Sequence, residues 1–180
     1  PQCGHIRRAV HLMPASILTL QLGNVLDGAP DVSTLWLTAA LARRLLENGR
    51  DIEVYFGRAL NLLSAAWADG TLHSAPITAT AMMLPLFHVG GQTDDAGLVE
   101  GCRAALLTAV NDPETDPADI ITIAHAALNT RYAGNELYIA ARNRALSCQE
   151  NDGGWAAADA MHRPMATVDA LMLLRWGGML

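Results

Sequence analysis

A threonine-led apolar segment recurs four times along the chain at an almost constant spacing. The successive threonines are separated by 44, 44 and 45 residues, at Thr34, Thr78, Thr122 and Thr167. A proline lies two to five residues before each threonine, at Pro30, Pro76, Pro117 and Pro164. An Asp-bearing turn precedes each segment, at Asp27-Gly28, Asp69-Gly70, Asp112-Pro113 and Asp152-Gly153. A period in the forties with two helices per unit predicts a stack of helical hairpins in which neighbours complete each other's core.

Caps, glycine pairs and prolines divide the chain into eight predicted helices, which form four pairs. The first helices of the pairs are predicted over Ile6–Val25, Ile52–Ala68, Ala96–Val110 and Asn135–Cys148. The second helices are predicted over Thr34–Glu47, Ile77–His88, Pro117 to Leu128 or Thr130, and from Pro164 to about Arg175. The predicted fold is therefore all-α, with four hairpins of about 44 residues in one domain over residues 1–180. Two arrangements use such a unit, an α/α-toroid-like arc and a HEAT-like α-solenoid.

Composition excludes several functional classes. Half of the residues are hydrophobic (51%) but only 5% are aromatic, and Ala and Leu dominate, as is typical of a helical protein. The net charge of −6 and the lack of a basic stripe argue against nucleic-acid binding. The most apolar stretch, Ile77–Val89, contains Pro85 and His88 and is too short to span a membrane.

The three cysteines, Cys3, Cys102 and Cys148, have no CxxC spacing. Free thiols in a reducing compartment are the simpler interpretation, so we expect a cytoplasmic location. The chain begins at Pro1 rather than at Met, which favours a domain excised from a longer chain.

The stretch Gln149-Glu-Asn-Asp-Gly-Gly-Trp155 resembles the later half of the QW motif, Q-x-x-x-G-x-W. That motif marks the repeat shared by squalene–hopene cyclases, other class II terpene cyclases and protein prenyltransferase β-subunits. The resemblance covers the last repeat, through Pro164 and the Thr167 helix, and extends more faintly to the other three. It implies an α/α toroid whose second helices face a central cavity. It also implies that Gln149 caps helix ends while Trp155 packs over the turn and ties adjacent repeats together.

The catalytic motifs of that family are mostly missing from this chain. The DxDD acid of class II cyclases is absent, and the nearest string is Gln92-Thr93-Asp94-Asp95. Asp116-Pro-Ala-Asp119 has DxxD spacing and lies at the start of a second helix. The zinc ligands of prenyltransferases are not matched, so no metal and no cofactor is predicted. Nine aromatic residues leave few to stabilise a carbocation.

Seven residues are candidates for a functional site. His73 and His162 each lie five residues before a repeat threonine, and imidazole titrates near neutrality, so both are candidate catalytic acids or bases. Asp159 could orient His162 or be a solvated loop residue. Asp116 and Asp119 are candidate rim acids, in a loop that could also be merely solvated. His125 and Asp169 are candidate ligand-binding residues, at similar depths in their second helices.

Each candidate also has a structural interpretation. Either histidine could hydrogen-bond a neighbouring loop or helix N-terminus, and polar groups on an apolar helix must find partners or water. Asp152 is expected to brace its own turn through an Asx-type bond.

Three functions follow from these residues. The leading hypothesis is a terpene cyclase-like domain that handles an isoprenoid or polyketide-like molecule in a cavity lined by the second helices, through acid-initiated cyclisation. The alternative is a non-catalytic helical-repeat scaffold that binds a protein or peptide. A glycoside-active α/α barrel is a third, which needs a second carboxylate across the cleft. The apolar Trp176-Gly-Gly-Met-Leu end favours a homo-oligomer or a missing partner domain.

Overall fold

The computed structural model describes residues 31–47, 53–89, 96–129, 134–156 and 162–178 of the chain. These ranges hold seven α-helices, one short 3-10 helix at Thr71–Ser74, and no strand. The α-helices are α1 Val32–Glu47, α2 Glu53–Ala68, α3 Ile77–Val89, α4 Ala96–Asn111, α5 Pro117–Asn129, α6 Gly134–Ser147 and α7 Arg163–Trp176. The all-α prediction is confirmed. None of the helices described is long and apolar enough to cross a membrane.

The helix boundaries lie close to the predicted ones because local signals set them. Helix α1 begins two residues early, at Val32, where the Asp31 carboxylate accepts a hydrogen bond of 2.6 Å from the Thr34 backbone N–H. Such a cap satisfies one of the N–H groups that a helix start leaves unpaired. Helix α7 carries Pro164 in its first turn, where the missing N–H costs nothing. The predicted helix Ile6–Val25 lies outside the described residues.

The chain divides into two compact units, with the boundary between Val99 and Glu100 in helix α4. In the first unit α1 packs against both α2 and α3. The Trp36 indole N–H donates a buried hydrogen bond of 3.1 Å to the Thr78 hydroxyl, which joins the second helices of two successive repeats. The largest fully buried side chains of this unit are Leu35, Leu41, Leu45, Leu63, Leu72, Met83, Leu84 and Leu86.

Helix α3 is buried on every side over residues 78–86. Each residue over 78–86 is buried, including Pro85 within the helix. A helix that is apolar all round belongs in a protein interior rather than at a surface. Second helix α3 is therefore part of the core of its unit.

In the second unit α5 packs against α6 and α7. Arg103 of α4 forms ion pairs with Glu100, at 2.6 Å, and with Glu136 of α6, at 3.2 Å. The interior is formed by Leu106, Ile120, Ile123, Ala124, Leu137, Ala141, Trp155, Ala170 and Leu173. In both units a second helix lies against the second helix of the next repeat, as the hairpin pattern predicts. The single domain over residues 1–180 and the arc-like arrangement of the hairpins stay predictions.

Candidate functional site

The segment from Gln149 to Trp155 forms a closed turn between α6 and α7. Glu150 N–H donates to the Gly154 carbonyl at 2.8 Å, and Gly153 N–H donates to the Glu150 carbonyl at 2.9 Å. Gly153 has a φ of +83°, a conformation that residues with a side chain rarely adopt. The Asp152 carboxylate accepts the Gly154 N–H at 3.0 Å, so the predicted Asx-type bond is confirmed.

The same Asx-type bond recurs in the other described turns. The Asp69 carboxylate accepts the Thr71 N–H at 2.8 Å, and the Asp112 carboxylate accepts the Glu114 N–H at 2.9 Å. In all three turns the acceptor lies two residues before the donor. These three recurring aspartates are therefore turn-forming groups, as short carboxylate side chains commonly are.

Trp155 connects the turn to the helices on either side. Its side chain is 1% exposed, and its indole N–H donates a 2.7 Å hydrogen bond to the Ala145 carbonyl in the last turn of α6. Its backbone N–H donates to the Thr167 hydroxyl of α7 at 3.1 Å, and that hydroxyl donates to the Arg163 carbonyl at 3.0 Å. The Ala145 carbonyl belongs to a helix end, where carbonyls lack partners within the helix. Trp155 therefore acts as a structural staple, meaning that it fastens the turn to both α6 and α7.

Gln149 differs from the role that the resemblance implied for it. Its side-chain amide donates to the Gly153 carbonyl at 3.0 Å, and its backbone pairs with that of Trp155. The glutamine side chain therefore closes the turn, while its backbone N–H donates to the Leu146 carbonyl in the last turn of α6 at 3.2 Å. The side-chain bond to the end of α6 comes from Trp155.

Arg163, the first residue of α7, joins two carboxylates of the turn. Its guanidinium lies 2.6 and 2.7 Å from the Asp152 oxygens, and its Nε donates to Glu150 at 3.0 Å. A Cβ at Gly154 would lie 2.6 Å from a guanidinium nitrogen, so glycine allows the arginine to lie against the turn. The sequence interpretation missed this pairing. In the sequence, the only sign of this pairing is that two acidic residues, Glu150 and Asp152, precede the basic Arg163.

An open pocket of about 500 Å³ adjoins this arginine. Its lining consists of Asp152, Gly153, Gly154, Arg163, Pro164 and Thr167. Each of these polar side chains already has a partner. Arg163 is paired with Asp152, and the Thr167 hydroxyl accepts from the Trp155 N–H and donates to the Arg163 carbonyl. The arrangement stabilises the turn, and among the described lining residues none is an unpaired acid or base.

Because of this ion pair, the stability of the turn depends on pH. Arg163, and then the Gly154 N–H, lower the pKa of Asp152 below its ordinary value of 3.8. A carboxylate whose pKa is lower in the folded state contributes stability that is present above its unfolded pKa and is lost as the pH falls through the folded value. We expect Asp152→Asn to reduce the decline in urea midpoint between about pH 5 and about pH 3. Because Arg163 is the largest cause, Arg163→Gln should reduce it similarly. Midpoints that fall equally in all three proteins would contradict this.

The two candidate histidines lie in different structural settings. His73 is exposed on the 3-10 helix, with its ring edge-on to Trp67 at a centroid distance of 5.1 Å. His162 is half-buried at the N-cap of α7, where its backbone carbonyl accepts from Met165 and Ala166 at 3.1 and 3.0 Å. His73 belongs to the first unit and His162 to the second. Their pairing as acid and base stays a prediction.

The rim acids are part of the start of α5. The Asp116 carboxylate accepts the Ala118 N–H at 2.7 Å, and its backbone carbonyl accepts the N–H groups of Asp119 and Ile120. Asp119 is half-buried in the first turn of the helix, where a negative charge is favourable. Asp159 lies outside the described residues. In the described part of the chain no group of three or more His, Cys, Asp or Glu residues could hold a metal ion.

The two candidate ligand-binding residues lie together. His125 Nε2 is 2.8 Å from the backbone carbonyl of Asp169, so this nitrogen carries the proton that it donates. The His125 ring also lies edge-on to Trp176, at a centroid distance of 5.6 Å. The histidine thus joins second helices α5 and α7. The sequence spacing placed these residues at similar depths but could not show which would bond to which.

The thiol of the buried cysteine, Cys102, is unreactive. Cys102 is fully buried and free, and desolvation raises the pKa of its thiol to about 12. A thiol needs to lose its proton to act as a nucleophile or metal ligand, so Cys102 serves packing.

Comparison of the chain with protein-family models, with curated proteins and with solved structures found no match.

Proposed function

We propose that this chain is a non-catalytic helical-repeat scaffold that binds a protein or peptide partner. The proposal rests on the hydrogen bonds of five polar side chains, each of which has a structural partner. Asp69, Asp112 and Asp152 form turns, Asp116 caps a helix, and His125 joins two helices. Catalytic groups are usually held near a reacting position with a perturbed pKa and a nearby partner. Here these five polar side chains bond to the repeat framework.

The repeat framework also supports a binding role. Stacked helical hairpins create extended surfaces that repeat proteins use to bind other chains. The polar turns lie between the helices and vary in sequence from repeat to repeat, which is where such proteins place specificity. In this account the α/α-toroid-like arc supplies the surface and the Asp turns hold it in shape.

A second candidate is the terpene cyclase-like function, in which the second helices line a cavity for an isoprenoid or polyketide-like molecule. The turn from Gln149 to Trp155 favours it, because its tryptophan joins α6 to α7. His73, His162, Asp116 and Asp119 would be the acids available for cyclisation, with Asp159. His125 and Asp169 would contact the ligand.

One assay separates the two candidates. The purified chain is incubated with farnesyl diphosphate, geranylgeranyl diphosphate and squalene, and extracts are analysed by gas chromatography with mass spectrometry. The scaffold proposal expects no product beyond that of heat-denatured protein. A cyclised product that disappears in His162→Ala or Asp116→Ala would overturn it in favour of the second candidate.

A displayed library of random peptides provides the positive test. If the chain is a scaffold, selection on the folded protein should enrich peptides with a shared sequence pattern. These peptides should lose binding when the chain is unfolded in urea. Selection that enriches no pattern would count against the proposal.

A further inference from the structure

The open pocket beside the turn between α6 and α7 has the size of a binding site. Its volume of about 500 Å³ lies within the range of roughly 300–1,000 Å³ that small-ligand sites occupy. Its described lining includes the glycines Gly153 and Gly154, Pro164, and two charged side chains, Asp152 and Arg163. The pocket therefore places apolar surface next to charged groups, which suits a long side chain with a polar end.

The charges at the pocket are unbalanced. The carboxylates of Glu150 and Asp152 both contact the same guanidinium nitrogen, Nη2 of Arg163, so they lie side by side. With histidine counted as neutral, the described residues over 149–156 and 162–167 carry two negative charges and one positive charge. An anion would meet this excess of negative charge, whereas a cation would balance it. The pocket therefore favours a cationic group.

The two carboxylates also keep hydrogen-bond acceptor sites that Arg163 does not use. An ionised carboxylate has about four lone-pair sites. Asp152 Oδ1 accepts from the Gly154 N–H at 3.0 Å and from Arg163 at 2.6 Å, while Oδ2 accepts from Arg163 at 2.7 Å. Both bonds from Arg163 to Glu150 go to the same oxygen, Oε2. The side chains of Asp152 and Glu150 are 61 and 47% exposed, so a ligand from solvent can reach them.

We propose that this pocket binds a lysine side chain of the protein or peptide partner. The lysine ammonium donates to Asp152 and balances the charge of the ion-paired group, while its aliphatic stem packs on Pro164. A lysine fits better than an arginine here. Arg163 already occupies the space between the two Asp152 oxygens, where a second guanidinium would pair, whereas an ammonium needs only single acceptors. The inference rests on the proposed scaffold function, because the lysine belongs to the bound chain.

An NMR titration with a single capped residue tests this site apart from the rest of a partner. The probe is Nα-acetyl-lysine methylamide, added to the isotopically labelled chain up to tens of millimolar at low ionic strength, where charges are screened least. We expect saturable shifts of the Gly153, Gly154 and Thr167 amide signals. The dissociation constant should be in the millimolar range, because exposed ion pairs are weak.

A second probe isolates the contribution of the ammonium group. Nα-acetyl-norleucine methylamide has a similar unbranched stem and no charge. If the carboxylates recognise the ammonium, this probe should bind at least about twofold more weakly than the lysine probe.

Three variants assign the shifts to the pocket. Asp152→Asn keeps an oxygen that can accept the Gly154 N–H but loses the charge, so it should raise the dissociation constant about two- to fivefold. Glu150→Gln should raise it as well, and it leaves the bonds of Asp152 in place. Asp112→Asn is the matched control, because Asp112 forms the same Asx-type bond in a turn that does not line the pocket. It should leave the constant unchanged, and circular dichroism should show the wild-type fold for all three.

Two kinds of result would overturn the inference. One is the absence of saturable shifts, or a norleucine probe that binds as tightly as the lysine probe. The other is a dissociation constant that Asp152→Asn and Glu150→Gln both leave unchanged, or that Asp112→Asn raises as much as they do. The scaffold proposal would still stand if peptide selection enriches a shared pattern. A lysine probe that binds as expected while selection enriches no pattern would count against the scaffold proposal alone.

Discussion

Replacing Trp155 by Ala should destabilise the second unit by about 3–5 kcal/mol, the usual cost of removing a buried tryptophan. The side chain is 1% exposed, and its indole N–H satisfies the Ala145 carbonyl at 2.7 Å. The substitution would leave a cavity and remove the indole hydrogen bond, so that the Ala145 carbonyl keeps only the Cys148 N–H, at 3.1 Å. Folded domains are stable by only about 5–15 kcal/mol, so a loss of this size should be visible in urea unfolding followed by circular dichroism.

Two further variants separate packing from hydrogen bonding at this position. Trp155→Phe keeps most of the apolar side chain and loses the donor, so we expect a cost of about 1–3 kcal/mol. Trp176→Ala is the comparison variant, because Trp176 is 57% exposed and its loss should cost about 0.5–1.5 kcal/mol, the usual value of an aromatic edge contact such as the one it makes with His125. A cost for Trp155→Ala no larger than that for Trp176→Ala would show that Trp155 is not a staple.

Replacing Trp36 by Ala should have an effect of similar size in the first unit. Trp36 is 3% exposed and forms the buried bond between α1 and α3, so we expect a loss of about 3–5 kcal/mol. The same urea unfolding measurement gives this value. Because the two units are compact separately, the comparison of Trp36→Ala with Trp155→Ala also tests whether they unfold together.

A double-mutant cycle isolates the bond between Trp36 and Thr78. Trp36→Phe and Thr78→Val each remove one partner and keep a similar shape, so each should cost about 1–2 kcal/mol. The double variant should cost less than the sum of the two, with a coupling of about 0.5–1.5 kcal/mol, since neither polar group is then left unpaired. Strict additivity would mean that the two side chains contribute independently.

The helices could be predicted because their signals are local. Pro76 and Pro117 mark the starts of α3 and α5, and the recurrent Asp turns mark the interval between the two helices of each pair. The carboxylate of Asp152 needs only the backbone two residues away, so its bond follows from the sequence alone. The threonine spacing likewise predicted where the second helices lie. It did not predict which hydrogen bonds the threonines form.

The contacts between helices could not be predicted in the same way. Trp36 and Thr78 are 42 residues apart, and His125 and Asp169 are 44 apart. Hydrophobic periodicity indicates which side of a helix is buried but not how two helices are rotated against each other, and that rotation decides which atoms meet. The same limit applied to Arg163, whose partners lie across the turn. The candidate acids looked catalytic in the sequence because their backbone partners could not be seen there.

The repeat gives these bonds a common purpose. Thr122 and Thr167 donate to carbonyls four residues back, at 2.9 and 3.0 Å, while Thr78 accepts from Trp36. In these three repeats the threonine hydroxyl therefore pairs with a group of the repeat framework, which is a carbonyl of its own helix or the Trp36 indole. Polar groups that are buried need partners of this kind.

Native mass spectrometry of the gently purified chain tests the scaffold account most directly. The second helices of a scaffold are core, as the buried range 78–86 of α3 is, whereas those of a cyclase-like protein line a ligand cavity. The account expects spectra of the chain alone, with no small molecule attached even after addition of isoprenoids. A stoichiometric isoprenoid or other lipid-like adduct, lost on unfolding, would contradict it and move the search to His73, His162 and the α5 acids.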